Sequence, residues 1–422
     1  MTNNHNSPTS RAPYATCLYV GLGGLFAGVT GPLLSTFVPP LVQSALGDHR
    51  ALIGIVMAID NVLLLLLVPW AGAASDRSSA AGRGRLPLII GGLLLSAIGM
   101  ALFPWSGLLG IAGVIAAIVL LYTGINVQRS PFQALVADAV PSRFRSLATG
   151  SVTFQMCVGA IVFLMLGRAL GMRVAFLIAA ATVLVIAVAL RLGLREPVTH
   201  DAQASEATYR SLFEAAWAAI RGVVPGMRAI FIAALLLQLT FQTFTTWFAL
   251  HGTERFGVKP EDVTIGFIAW AIGGVIGALP AGFIGVRFGR RNAMLLGLAI
   301  MVGCLVALNS VSSVSQATPL LALASAAWTF PTVNAYPMFV EPIPRERRGV
   351  LSALFLLCMA LGGAIGDPMN GVLFDLVGSY RPLFLMMATY TALAFVAVLA
   401  IPRGAGEAEQ LNPLVVSPPV AG

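Results

Sequence analysis

Along the chain, long apolar runs alternate with short polar breaks. The runs fall near 14–43, 52–74, 86–105, 107–136, 147–167 and 172–193, then near 227–250, 263–285, 292–312, 317–340, 349–373 and 382–402. Each is close to the roughly 20 apolar residues that span a bilayer as a helix. The pattern predicts twelve transmembrane helices in two sets of six. Before them, residues 1–13 are polar and read as a disordered tail without a cleaved leader, and 403–422, with Pro413, Pro418 and Pro419, read as a second tail. The longest polar stretch, 194–226, is the expected linker between the halves. Within it Tyr209, Leu212, Phe213, Ala216, Trp217 and Ile220 keep a 3.6-residue spacing, which predicts an amphipathic helix lying on the membrane surface.

Composition agrees with this reading. Of 422 residues, 58% are hydrophobic and 10% charged, against about 25% charged in an ordinary soluble domain. A soluble enzyme is excluded, and the net charge of +8 has no solvated basic face on which to hold nucleic acid. The basic residues instead report orientation. With the amino terminus placed inside, 18 of the 25 Lys and Arg residues fall on inner segments, six fall in outer loops (among them Arg50), and Arg129 alone lies within a helix. That bias predicts cytoplasmic termini. Cys17, Cys157, Cys304 and Cys358 lie apart in apolar runs, and four scattered histidines offer no cluster. No metal site and no cofactor is expected.

Short loop motifs recur between the halves. Gly72, Ser75, Asp76, Arg77, Gly82, Arg83, Gly84 and Arg85 follow helix 2, and Gly282, Gly285, Val286, Arg287, Gly289, Arg290 and Arg291 follow helix 8. Asp138, Pro141 and Arg145 after helix 4 match Glu341, Pro344 and Arg348 after helix 10, at a constant offset of 203. A duplicated architecture follows: an all-α membrane protein with two pseudo-symmetric bundles, 14–193 and 227–402.

The doubled G-x-x-x-D-R plus G-R-x-R pattern resembles the major facilitator superfamily over about residues 14–402. That resemblance implies the major facilitator fold and a conformational latch at Gly72, Asp76, Arg77, Arg83, Arg85, Asp138 and Arg145, with Gly282, Arg287, Arg290, Arg291, Glu341 and Arg348 in the second half. Val286 stands where an acid is expected, so the latch should be asymmetric. Phe37-Val38-Pro39, Asp60-Asn61, Arg129-Ser130-Pro131, Asn334 to Pro337 and Gly366-Asp367-Pro368 further resemble the sucrose/proton symporter relatives of the glycoside-pentoside-hexuronide cation symporters.

Ionisable groups deep in a bilayer are costly, so their default reading is functional. Asp60 is sixteen residues before Asp76, about 24 Å along the helix, and is the expected carrier of a coupling proton. Asp367, beside Pro368, is a second candidate or a kink marker. Arg129 joins Tyr122, Asn126 and Gln133 on one helical face; it could bind solute, pair with Asp60, or snorkel toward Asp138. Asn61, Gln155, Gln238, Gln242, Trp247, Trp328, Asn334 and Tyr336 complete a polar and aromatic set suited to solute hydroxyls and sugar faces. The expectation is a monomeric carrier in a lipid bilayer, moving a small solute, a sugar or glycoside, with protons. Two alternatives stay open: a drug or metabolite exporter, and a non-transporting receptor or scramblase.

Overall fold

A computed structural model of the chain describes residues 13–140, 144–194, 227–340 and 348–401. The linker helix expected near 209–220 and most of the two tails lie outside these residues. Among the described residues the regular structure is helical throughout. We number the helices α1 (Pro13–Leu46), α2 (Arg50–Met57), α3 (Ile59–Ala80), α4 (Leu86–Leu102), α5 (Gly110–Ala139) and α6 (Arg145–Gly193), then α7 (Met227–Phe256), α8 (Pro260–Phe288), α9 (Arg290–Leu308), α10 (Val314–Val340), α11 (Arg348–Val377) and α12 (Leu383–Leu399). Among the described residues, seven continuous stretches are long and apolar enough to cross a membrane.

Two of those stretches turn back on themselves. Residues 86–136 are broken by a 3-10 segment, Phe103–Leu109, and by Gly110 at φ 63°. In α6 the break is Gly171, at φ 76° and ψ 172°, a conformation essentially confined to glycine. The contacts of α6 with α1 show the reversal. Gln155 donates to the Leu18 carbonyl, and Gly193 packs on the Tyr19 ring. These residues are 38 positions apart, about 57 Å in a straight helix. Only a hairpin brings both to one end of α1. Near its bend, Gly167 and Phe176 both meet Phe37. Helix 5 and helix 6 of the sequence pattern are the two arms. The predicted second helix is likewise divided, into α2 and α3 at Ala58.

The chain forms two compact units. One comprises Met1–His49, Ile59–Ala204 and Pro260–Thr264; the other comprises Arg50–Ala58, Ser205–Lys259 and Ile265–Gly422. In the first, α1 lies along α6, and α4 pairs with α5. The approach of α1 to α6 depends on missing side chains: a Cβ on Gly24 would lie 1.9 Å from the Val152 carbonyl oxygen, and on Gly28 2.1 Å from that of Met156. Lipid tails are as apolar as the side chains, so tight backbone packing of this kind holds membrane helices together. In the second unit, α7 packs on α12 and α11, and α9 on α10 and α12. Ile230, Leu237, Met294, Leu298, Met338 and Val398 are central to its core.

Candidate functional site

Asp60 sits in the first turn of α3, within a membrane-spanning stretch. The amide Nδ2 of Asn126, on α5, donates to Asp60 Oδ1 at 3.1 Å and to the Tyr122 carbonyl at 3.0 Å. Asn126 is fully buried, and Asn61 and Tyr122 nearly so. Two further amide atoms, Asn61 Nδ2 and Asn126 Oδ1, are buried without a hydrogen-bond partner among the described residues. A buried polar atom left unmatched costs about 1–3 kcal/mol. Arg129, one turn beyond Asn126, acts on Asp60 through its charge rather than by a direct ion pair. Both Arg129 and Gln133 are exposed, so the predicted stripe on this helix changes along its length, from buried Tyr122 and Asn126 to open Arg129 and Gln133.

Gln155 has a different setting. Its amide donates to the Leu18 carbonyl at 3.0 Å and to Ser151 Oγ at 3.3 Å, which ties α6 to α1.

The second unit contains its own acid and amide. Asp367, fully buried on α11, accepts from Gln242 Nε2 of α7 at 2.8 Å, and the same amide reaches Thr246 Oγ at 3.2 Å. One turn on, Asn370 Nδ2 donates to Thr243 Oγ at 2.7 Å, while the Tyr390 hydroxyl of α12 donates to Asn370 Oδ1 at 2.7 Å. Thr240 and Thr391 add a 3.3 Å contact. Only half of this ladder is legible in the sequence. Thr243, Asn370 and Tyr390 are not among the expected site residues, although Tyr390 between two threonines in apolar α12 is the kind of interruption that marks a polar contact inside a membrane.

Other expected solute contacts are engaged in packing. Trp247 is sealed against Phe374 and Tyr380, with ring centroids at 5.0 and 5.9 Å, and presents no open surface. Asn334 donates to the carbonyls of Ala281 and Phe330, joining α10 to α8. Trp328 stacks on Phe241 at 5.6 Å, and Gln238 packs against Gly362. The Tyr336 side chain lies outside the described residues.

At the motif loop of the first unit, Arg85 is the hub. Its Nε donates to Asp138 Oδ2 at 2.9 Å, its Nη1 to Asp76 Oδ1, and Nη1 also to Ser75 Oγ at 3.1 Å. Burial works against the Arg85 charge, but Asp76 and Asp138 outweigh it and hold the guanidinium above its usual basicity. Gly82 and Gly84, at φ 72° and 75°, shape the loop that delivers this arginine, while Arg77 and Arg83 stay exposed. Gly72 lets α3 pass Ser130, whose Oγ would lie 2.7 Å from an added Cβ.

The corresponding turn of the second unit is built differently. Val286, in the place of Asp76, is 86% exposed. Gly285 accommodates Asn334, Gly282 faces open space, Arg291 Nη2 donates to the Leu399 carbonyl at 2.9 Å, and Arg287 lies over the Phe288 ring. Arg290 opens α9. Glu341 and the side chains of Arg145 and Arg348 lie outside the described residues.

Among the described residues no group of His, Cys, Asp and Glu could hold a metal ion. No curated protein matches the chain. Among solved structures, a bacterial homolog of the human lysosomal transporter Spinster is similar with a TM-score of 0.72 and 16% identity, over 93% of this chain and 98% of that one. The nucleoside transporter NupG gives 0.72 and 16% over 92% and 98%. The fucose:proton symporter FucP of E. coli, in its outward conformation, gives 0.59 and 16% over 92% and 98%. At such identities these likenesses establish the fold. The profile described as Major Facilitator Superfamily matches residues 20–366 and 253–418. With this match over most of its length, the chain belongs to the Major Facilitator Superfamily and is a multi-pass membrane transporter, not an enzyme.

Proposed function

We propose that the protein moves a small polar solute, a sugar or glycoside, across the cell membrane together with a proton, with both termini in the cytoplasm. The observation that carries this reading is Asp60: a carboxylate in a membrane-spanning stretch whose direct partner is the neutral amide of Asn126 rather than a cation. An amide can serve both the charged and the neutral acid, so Asp60 can gain and lose a proton without breaking an ion pair. Asn61, Tyr122, Asn126, Arg129 and Gln133 are the solute contacts proposed beside it. Asp367, with Gln242, is the second protonatable position, and the remaining expected contacts are Gln155, Gln238, Trp328 and Tyr336; Trp247 and Asn334, also expected there, are buried in packing contacts instead.

Supporting the solute class are the resemblance of the Asp60-Asn61 and Arg129-Ser130-Pro131 stretches to the sucrose/proton symporter relatives and the similarity in fold to a fucose:proton symporter. Alternating access of the two halves carries the solute, with Arg85, Asp76 and Asp138 stabilising one closed state. The protein works as a monomer.

Transport in reconstituted vesicles tests the reading. Sugars and glycosides that raise the unfolding temperature of the purified protein are offered to vesicles containing a pH-sensitive dye. Solute addition should drive proton uptake in the wild type. In Asp60→Asn, proton uptake should vanish while exchange of labelled solute persists. Unchanged proton uptake in that variant contradicts the assignment, and outward pumping of amphiphilic drugs without sugar flux favours an exporter.

A further inference from the structure

The connection between α4 and α5 lacks the polar rim that ends most membrane spans. From Leu86 to Gln128 the chain carries no charged residue and no histidine. An exposed apolar stripe runs along α4 and continues over the 3-10 segment without a break. Leu94, Ile98, Leu102, Trp105 and Leu109 are spaced by three or four residues and are between 41% and 78% exposed. Leu108, at 80%, shares the tip with Leu109.

This turn is firmly rooted. Phe103 is fully buried and stacks on Phe176 at 5.1 Å, and buried Ser106 donates its hydroxyl to the Phe103 carbonyl at 2.7 Å. A Cβ on Gly113 would lie 2.3 Å from the Ser106 carbonyl oxygen. The Phe103 N–H donates to the Gly99 carbonyl and the Gly110 N–H to that of Gly107, so the backbone is served from within, as lipid contact requires. Leu108 and Leu109 are therefore held outward by a turn fixed to the core of its unit. By the offset of 203 its counterpart is the α9–α10 connection, whose chemistry is the opposite: Asn309, Ser310, Ser312 and Ser313. There Ser312 donates its N–H and its hydroxyl to Gln316 Oε1 at 3.0 and 3.1 Å, and Arg255 donates to the Val311 carbonyl at 3.1 Å.

We propose that the turn Phe103–Gly110 is a lipid-binding surface, with Trp105, Leu108 and Leu109 seated among the glycerol groups and upper acyl carbons of the bilayer, while the α9–α10 turn stands in water. Two observations select lipid as the occupant. The stripe is continuous with the exposed apolar wall of α4, a membrane-spanning helix, and tryptophan is favoured at the membrane interface. The length of α5 also fits. With Asp138 near one end and Gly110 at the other, its 30 residues extend at most about 45 Å, and a bilayer with its headgroups is about 40–45 Å thick. With Asp138 at one membrane surface, the tip thus reaches the opposite headgroups and goes no farther. The proposal rests on the chain spanning a bilayer, and not on its solute or on the acid that carries a proton.

Electron paramagnetic resonance on the full chain, in nanodiscs of phosphatidylethanolamine and phosphatidylglycerol, tests it. With the four native cysteines replaced by alanine, a nitroxide is attached at Leu109→Cys or at Ser312→Cys. Collision with oxygen, which concentrates in lipid, relative to collision with a water-soluble nickel chelate should be at least about fivefold higher at 109 than at 312. Equal ratios at the two positions would overturn the proposal. A second measurement leaves the cysteines in place. Benzoylphenylalanine incorporated in place of Leu109 and irradiated should attach phospholipid, seen as an added mass on the intact chain, and in place of Ser312 it should attach none. Absence of the lipid adduct at 109 would overturn the proposal, and so would crosslinks joining two copies of the chain in its stead.

Discussion

At the scale of single residues, two acids lie within the apolar helices, Asp60 on α3 and Asp367 on α11. Asp60 and Asp367 stand out because few carboxylates interrupt the apolar runs, and an acid in a bilayer demands an explanation. Which side chain answers each acid depends on how helices cross. Asp60 could have been served by Arg129, but α3 and α5 meet so that Asn126 makes the hydrogen bond and the arginine acts from farther away. The Asn126 interaction can be tested directly. Asn126→Leu removes the donor while keeping side-chain bulk, leaving the half-buried carboxylate beside an apolar group. Stability should fall by about 1–3 kcal/mol, seen as a lower unfolding temperature in detergent. Solute-driven proton uptake should fall with it. An unchanged melting curve would show that Asp60 draws its stability from elsewhere.

Elements are predicted mainly from run length, and that signal locates spans better than breaks. The reversal between 167 and 172 is legible because Arg168 and Arg173 flank Gly171, and the structure places a glycine-only conformation there. The break at Ala58 is not, since Ile-Val-Met-Ala-Ile is apolar without interruption. Its cause is tertiary: the Asp375 carboxylate of α11 accepts the Arg50 and Ala51 N–H groups, and Gly54 and Gly371 let the backbones of residues 50–57 and α11 meet closely. Arg50, placed by pattern in a loop, turns out to begin a helix. The α6 hairpin gives a prediction at this scale. Gly171→Ala should destabilise the protein by about 1–3 kcal/mol, because a Cβ is disfavoured at φ 76°. Gly91→Ala, in a helix with open space around it, should be neutral to slightly stabilising. Thermal unfolding of the two variants side by side checks the contrast, and equal effects would contradict the backbone argument.

For the whole molecule, the duplicated loop motifs and the even spacing of the runs make the superfamily fold readable from the order of residues. Val286 stands where an acid is expected, and among the described residues Arg85 has carboxylate partners at its turn while Arg291 donates to a backbone carbonyl; Glu341, the counterpart of Asp138, lies outside the described residues. What a one-dimensional pattern does not supply is the polar ladder from α7 through α11 to α12, because Thr243, Asn370 and Tyr390 are individually ordinary and acquire meaning only by convergence. On the proposed coupling, solute binds to a carrier whose Asp60 is protonated. Affinity for an identified solute, measured across pH by calorimetry or thermal shift, tests it most directly. In the wild type, affinity should be constant at low pH and then fall about tenfold per pH unit once the site loses its proton. Asp60→Asn should bind at every pH with the affinity of the protonated form. A wild-type affinity that ignores pH, or an Asp60→Asn variant that keeps the wild-type slope, would contradict the claim.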